Sequence, residues 1–262
     1  MEIINKGVTQ FLISKLYDTI SVADSNNDMR VLNYGFDNGR EIPMSSEDRS
    51  HYYRLALYHH VASAIDLSGK DVLEVGSGRG GGASYIARHF NPRSMQGLDL
   101  SSKAVRFCQG FYKEIPNLAF GTGDAEALEL EDGSCDVLIN IESSHNYSNM
   151  GEFVSEAHRV LRPEGHFLLA DMRIPADLEI LKKMLSEAGF GLISEEDITQ
   201  NVLSALDKDN DRKVDFIKYK FPRTLWFLQK PFSAFAGVKG THIYNKLQTG
   251  ELCYINIVSQ KI

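Results

Sequence analysis

The middle of the chain alternates short, almost wholly apolar runs with longer stretches in which apolar residues return every three or four positions. A continuous apolar run of strand length suits a strand buried on both faces, and the longer periodic stretches suit covering helices, which together predict a parallel sheet. DVLEV (71–75), MQGLDL (95–100), LAFGTGD (118–124), CDVLINI (135–141) and HFLLAD (166–171) read as strands. GGASYIARHF (81–90), KAVRFCQGFYKE (103–114) and GEFVSEAHRVL (151–161) read as helices; Ser101 or Ser102 caps the second, and Arg162, Pro163 and Gly165 close off the third. A helix over 177–188, stopped by Gly189, leads to GLISEED and, much later, ELCYINIVSQ, two closing strands. Ile4, Val8, Phe11, Leu12 and Leu16 recur at helical spacing and predict an amphipathic N-terminal helix. The expected fold is therefore a doubly wound, Rossmann-like α/β domain with a mostly parallel seven-stranded sheet and helices on both faces. Around it are expected an N-terminal helical cap (1–60), a core (61–200), an inserted lid (201–248) and a closing strand (249–262).

Composition narrows the class. With 262 residues, 43% of them hydrophobic, the chain can bury one sizeable core plus an insertion. No run reaches the roughly 18 to 20 apolar residues of a membrane-spanning helix, and the N-terminus lacks the basic and apolar regions of a secretion signal. Cys108, Cys135 and Cys253 are too far apart for a zinc motif and odd in number, which fits a reducing cytoplasm. A formal charge of −7 disfavours nucleic acid. Oligomeric state is not written in the residues.

Candidate chemistry begins at Glu74-Val75-Gly76-Ser77-Gly78-Arg79-Gly80-Gly81-Gly82. Glycines between a strand and a helix let backbone amides approach a nucleotide-like ligand. Gly76, Gly78 and Gly81 also satisfy the dinucleotide pattern, so an NAD-linked oxidoreductase survives this step. Glu74 favours a cationic ligand over a pyrophosphate. Asp99, at the second strand end, suits ribose hydroxyls in either cofactor. Asp124-Ala125, after the third strand, suits an adenine amino group.

In combination, VLEVGSGRGGG, GLDLSS, GDAEALELEDGSCDVL and HRVLRPEGHFLLAD resemble the class I S-adenosylmethionine (SAM) dependent methyltransferase family over roughly residues 70–172. That resemblance implies SAM as cofactor, its amino acid end near Glu74, Gly76, Ser77 and Gly78, its ribose at Asp99 beside Leu100, and its adenine at Asp124 and Ala125, with Ile141 and Glu142 completing the site. LNYGF (32–36), YHHVA (58–62), GRGGGASYIAR and NIESSHNY are similar to methyltransferases of phthiotriolone-type lipids and related natural products. The implied reaction is methyl transfer to a hydroxyl oxygen, or alternatively a carbon, of a hydrophobic small molecule such as a polyketide, phenolic or lipid. A protein that keeps SAM without methylating, as a cyclase would, stays open beside it.

A sulfonium methyl is already electrophilic, so the enzyme has to align the nucleophile, exclude water and take a proton from a hydroxyl. His145, beyond the fourth strand, is the expected base, and Asp171, at the fifth strand end, its partner. Both also suit purely local roles, as a loop histidine and a strand-end cap. Tyr17, Tyr34 and Trp226 are the candidate acceptor contacts, with simple packing the preferred alternative for the two tyrosines. Between Arg212 and Lys239, seven Lys and Arg stand against one acid, Asp215, interleaved with aromatic residues. As a lid this segment would turn its rings to the acceptor and its cations to water; as a peripheral membrane surface, or a nucleic-acid platform, the rings would be exposed. The lid is preferred. Asp207 to Asp211 begins like a calcium loop, but Arg212 and Lys218 occupy the positions that need glycine and glutamate, so an exposed polar turn is expected there. His59 and His60, neighbours on a helix, point about 100° apart. No metal is expected.

Overall fold

The computed structural model describes residues 29–221 and 226–262, with the backbone alone at 226–228. The expected amphipathic helix over 4–16, and Tyr17, lie outside the described residues.

Seven strands form one sheet in the order β3-β2-β1-β4-β5-β7-β6. They are β1 (Asp71–Val75), β2 (Ser94–Asp99), β3 (Leu118–Thr122), β4 (Cys135–Ile141), β5 (Leu161–Arg173), β6 (Phe190–Asp197) and β7 (Cys253–Lys261). β7 lies antiparallel between β5 and β6, and the other pairings are parallel. Helices α1 (Tyr52–Ala62), α2 (Gly81–His89), α3 (Ser102–Phe111), α4 (Met150–Val160) and α5 (Pro175–Glu187) accompany the sheet, and α6 (Thr199–Lys208), α7 (Asn210–Lys220), α8 (Trp226–Phe235) and α9 (His242–Thr249) fill the excursion between β6 and β7.

Successive strand residues point to opposite faces, and two separate cores show it. Val72, Val137, Ile139 and Leu168 join Tyr85, Ile86 and Tyr254 on one face. Leu73, Val75, Leu138 and Leu169 join Phe153, Phe167 and Leu181 on the other. The central strands are apolar throughout because both faces are covered, whereas β6, at the sheet edge, leaves Leu192 and Ile193 exposed.

The cap on α3 is Ser101, whose side chain accepts from the Ala104 amide at 3.3 Å. One boundary departs from expectation. α4 stops at Val160, just before Arg162 and Pro163 as expected, but β5 begins at Leu161 rather than His166, so that Arg162, Pro163 and Gly165 belong to the strand. The ladder absorbs them as an irregularity, Cys135 pairing with Leu161 but Val137 with His166. Arg162 holds this start in place through Asp136 at 2.7 Å and Asp71 at 3.0 Å.

Candidate active site

Parallel strands end together, so the loops that follow them converge at the carboxyl edge of the sheet. After β1 the chain turns through Gly76, whose φ is +81°. The amides of Gly76 and Ser77 donate to the Leu98 carbonyl at 2.8 and 2.9 Å, tying this turn to β2. A Cβ on Gly76 would lie 2.0 Å from Ser143 Oγ, so only bare backbone lets the loop after β4 close over the turn. At the end of β2, Asp99 accepts from the Gly78 amide at 2.8 Å and the Ser101 amide at 2.8 Å, which fixes its carboxylate. Burial raises the Asp99 carboxyl, and these two amides oppose that rise. Gly123, Asp124 and Ala125 from β3, with Ile141, Glu142 and Ser143 from β4, complete a cavity of about 150 Å³. Leu100 stands on its rim, 57% exposed, as an apolar shelf.

Glu74 stands behind this wall rather than in it. The sequence places its carboxylate against the ligand; in the structure Tyr58 from α1 lines the cavity and donates its hydroxyl to Glu74 Oε1 at 2.6 Å. Glu74 Oε2 has no partner. Burial pushes the carboxyl up to about 7 even though Tyr58 stabilises its charge. The phenol reaches this position because a Cβ on Gly82 would sit 1.9 Å from its ring. Part of the glycine run therefore serves the packing of α1, which its strand-turn-helix context did not reveal.

A second cavity, of about 410 Å³, opens beyond Glu142, and Leu32, Glu142 and Asn146 line both. Glu142 holds a left-handed conformation, φ +49°, unusual for a residue with a side chain. Its amide is anchored to the Ala170 carbonyl at 2.8 Å, and its Oε2 accepts from the Tyr34 amide at 2.8 Å and the Tyr254 hydroxyl at 3.0 Å. Burial pushes this carboxyl too up to about 7, against the Tyr34 amide.

His145 lies on a single 3₁₀ turn, Ser144–Asn146, and lines the second cavity. Its Nδ1 is 2.7 Å from Asp171 Oδ1. Asp171 is completely buried at the end of β5 and also accepts from the Ser144 hydroxyl at 2.8 Å, the His145 amide at 2.9 Å and the Met172 amide at 2.8 Å, with Arg173 at 2.9 Å. Burial raises the Asp171 carboxyl, but the charges of His145 and Arg173 and these hydrogen bonds outweigh it, leaving it well below the usual carboxylate range. Burial lowers His145, but the Asp171 charge and hydrogen bond, with Glu142, raise it above its ordinary 6.5. With Nδ1–H donated to Asp171, Nε2 carries the lone pair; it is 2.9 Å from the Asn146 amide nitrogen.

Among the other expected residues, Tyr34 lines the second cavity, whereas Trp226 opens α8 with a side chain outside the described residues. The late helices depart from expectation in two ways. Phe216, Phe232 and Phe235 do line the second cavity, but Lys213, expected in water, is 4% exposed and lines it with them, while Tyr219 is 72% exposed. Asp207 to Asp211 is no exposed turn: it joins α6 to α7, and Asp209 is buried against Arg212 at 2.5 Å and Arg54 at 3.6 Å. Tyr58 stands in YHHVA and Lys213 in the basic stretch from Arg212, but no spacing rule assigns either of them, or Arg54, to a cavity wall. His59 and His60 diverge to Tyr85 and Glu196, each at 3.0 Å. Among the described residues no group of three or more His, Cys, Asp or Glu is placed to hold a metal ion, and no helix is long and apolar enough to cross a membrane.

A side-chain-free turn, an aligned strand-end carboxylate and a buried carboxylate oxygen without a partner suit a cationic nucleoside better than a diphosphate. Comparison with known proteins agrees. Residues 73–169 match the family model described as a methyltransferase domain. Phthiotriol/phenolphthiotriol dimycocerosates methyltransferase of Mycobacterium tuberculosis (strain H37Rv) is 35% identical over 231 residues, 87% of this chain and 84% of that protein. A fatty-acid O-methyltransferase of Mycolicibacterium smegmatis is 40% identical over 188 residues, 71% of this chain and 68% of that protein. In fold, the chain is similar to geranyl diphosphate C-methyltransferase from Streptomyces coelicolor, solved with Mg²⁺, geranyl diphosphate and S-adenosylhomocysteine: TM-score 0.69, 13% identity, 97% of this chain and 98% of that one.

Proposed function

This chain belongs to the SAM-dependent methyltransferase family, and from that premise we propose that it moves the SAM methyl group to a hydroxyl oxygen of a hydrophobic, lipid-like acceptor, with His145 as base. The observation that carries the reading is the buried Asp171–His145 pair, 2.7 Å apart, in the wall of the larger cavity where Glu142 divides it from the smaller. Bound SAM supplies a methyl group on a sulfonium, a leaving group that needs no acid.

The smaller cavity takes the cofactor. Asp99 accepts the ribose hydroxyls, Asp124 and Ala125 hold the adenine edge over Leu100, Gly76, Ser77 and Gly78 present backbone to the amino acid end, and Glu74 with Tyr58 sets the negative field behind it. Ile141 and Glu142 close the end that faces the acceptor. Burial of these walls excludes water from the reaction path. In the larger cavity, Asp171 fixes the tautomer in which His145 Nε2 carries the lone pair, which the acceptor hydroxyl takes over from the Asn146 side-chain amide, and its charge stabilises the imidazolium that results. Tyr34, Phe216 and Phe235 surround the acceptor's apolar body. Residues 201–248 then act as a lid over this cavity. The names of the two relatives support both parts of the reading: one acts on a dimycocerosate lipid, the other is a fatty-acid O-methyltransferase.

The test is the position of the transferred carbon. With SAM carrying a ¹³C methyl group and a panel of long-chain hydroxylated acceptors, the product should show an O–CH₃ resonance. A C–CH₃ product from the same panel would overturn the choice of oxygen.

A further inference from the structure

Among the described residues, Lys213 is a buried amine without a hydrogen-bonding counterpart. It is 4% exposed, lines the larger cavity, and its Nζ makes no hydrogen bond. An unpaired ammonium withdrawn from water is strongly unfavourable, and such a group persists where something with the opposite charge meets it. The charges around it offer no such partner. Asp209 divides its carboxylate between Arg212, at 2.5 and 2.6 Å, and Arg54, at 3.6 Å. Glu142, the remaining acid on this wall, is committed to the Tyr34 amide and the Tyr254 hydroxyl. His51, in contact with Arg54 at 3.2 Å, is held neutral by burial and by Arg54, its pKa lowered to about 3. Near pH 7 the two arginines are charged, and Lys213 and Glu142, each at about 7, are about half charged, so that against Asp209 about one positive charge is left over. Apart from Asn33, His145, Asn146 and His242, the rest of the wall is largely apolar, with Leu32, Phe216, Phe232, Phe235 and Ile243 in it.

We propose that Lys213, backed by Arg54, is an anion subsite of this cavity that holds a carboxylate carried by the acceptor, whose apolar body lies along the phenylalanines. The proposal rests on this cavity's being the acceptor site. The uncompensated charge is about one unit, which matches a carboxylate better than a phosphate monoester with its charge of about −1.5 to −2. Burial, then Arg54, lowers Lys213 to about 7, with Asp209 opposing, Arg212 adding to the fall and Glu142 opposing. Above that pH, binding a carboxylate draws a proton onto Lys213.

The experiment titrates the protein saturated with S-adenosylhomocysteine with decanoate, decanol and decyl phosphate, each below its micellar concentration. Decanoate should bind at least about tenfold more tightly than decanol, equivalent to one charge-assisted contact. Lys213→Met should remove that preference while decanol and S-adenosylhomocysteine bind as before, and Lys213→Arg should keep most of it. Calorimetry at pH 8 in buffers of different ionisation enthalpy should show proton uptake with decanoate in the wild type, lost in Lys213→Met. The same variant should raise the melting temperature of the ligand-free protein, because an apolar chain replaces an unpaired charge. Equal decanoate affinity in wild type and Lys213→Met would overturn the subsite, and tighter binding of decyl phosphate would overturn its assignment to carboxylate. Loss of the parent reading has a different mark: none of the three decyl ligands would bind competitively with a methylatable acceptor.

Discussion

The two cavities that meet at Glu142 are built by opposite means. The smaller is made at the ends of β1 to β4, largely from backbone, and its carboxylate at Asp99 is oriented by amides two residues or one loop away, one on each oxygen, with lone pairs left for a ligand. The larger is assembled from helices α1, α7, α8 and α9, and in Lys213 it keeps a polar group unmatched. The difference teaches where each half's specificity resides. A site for a cofactor of fixed shape can be oriented in advance by backbone, even where Ser77 Oγ stays without a partner among the described residues, whereas a site for a variable acceptor is built from side chains of distant helices.

Variants can test this division. His145→Ala should have the largest effect, slowing methyl transfer by about 10²- to 10⁴-fold in a single-turnover assay, with SAM affinity unchanged within about twofold, as expected when a base is lost and binding is not. Glu74→Gln comes next, read as stability against pH in the ligand-free protein. A carboxyl raised from 4.5 to about 7 binds its proton more tightly folded than unfolded, so its stabilising effect is present below pH 4.5 and lost as pH rises to about 7. His145, also raised, acts in the same direction, and Asp171, lowered, is constant over this range. Between about pH 5 and pH 8 the stability difference between wild type and Glu74→Gln should therefore shift against the wild type by up to about 3 kcal/mol, measured by urea unfolding, while Glu142, raised likewise, and His51 and Lys213, lowered, act alike in both proteins. An unchanged pH slope in the variant would mean that Glu74 does not carry this burden.

Gly82→Ala is expected to destabilise by about 1 to 3 kcal/mol and to weaken SAM binding, because its methyl meets the Tyr58 ring that lines the cofactor cavity. Thermal unfolding with and without SAM separates the two effects. Smallest of all, Leu100→Ala should weaken SAM by about 1 kcal/mol, and Phe235→Ala should leave SAM affinity alone while weakening the acceptor. Isothermal titration of each ligand would show the two cavities to be independent, or, if both variants affect both ligands, coupled.

The same contrast explains what the residues alone revealed. The sheet, its helices and the strand-end acids are legible because each depends on a short stretch: period, cap and turn are local properties. His145 and Asp171 are legible as a pair because β4 and β5 are neighbours in a sheet of recognisable order. The start of β5 was misread since Pro163 and Gly165 are stop signals that the irregular ladder accommodates. Lys213 and Arg54 were not legible at all: they stand 159 positions apart, and only the packing of α7 against the rest brings them to one wall. The place of Tyr58 in the cavity wall is hidden for the same reason: YHHVA and the bare Cα of Gly82 are its traces, and neither says that the two meet.

The most direct test of the account is the pH profile of a single turnover with the protein saturated in both SAM and a hydroxylated acceptor. Since only neutral His145 can accept the proton, and Asp171 holds its pKa above 6.5, the wild-type rate should climb with pH through one titration centred above that value, and His145→Ala should lose the climb. A flat wild-type profile, or the same climb in His145→Ala, would contradict the account.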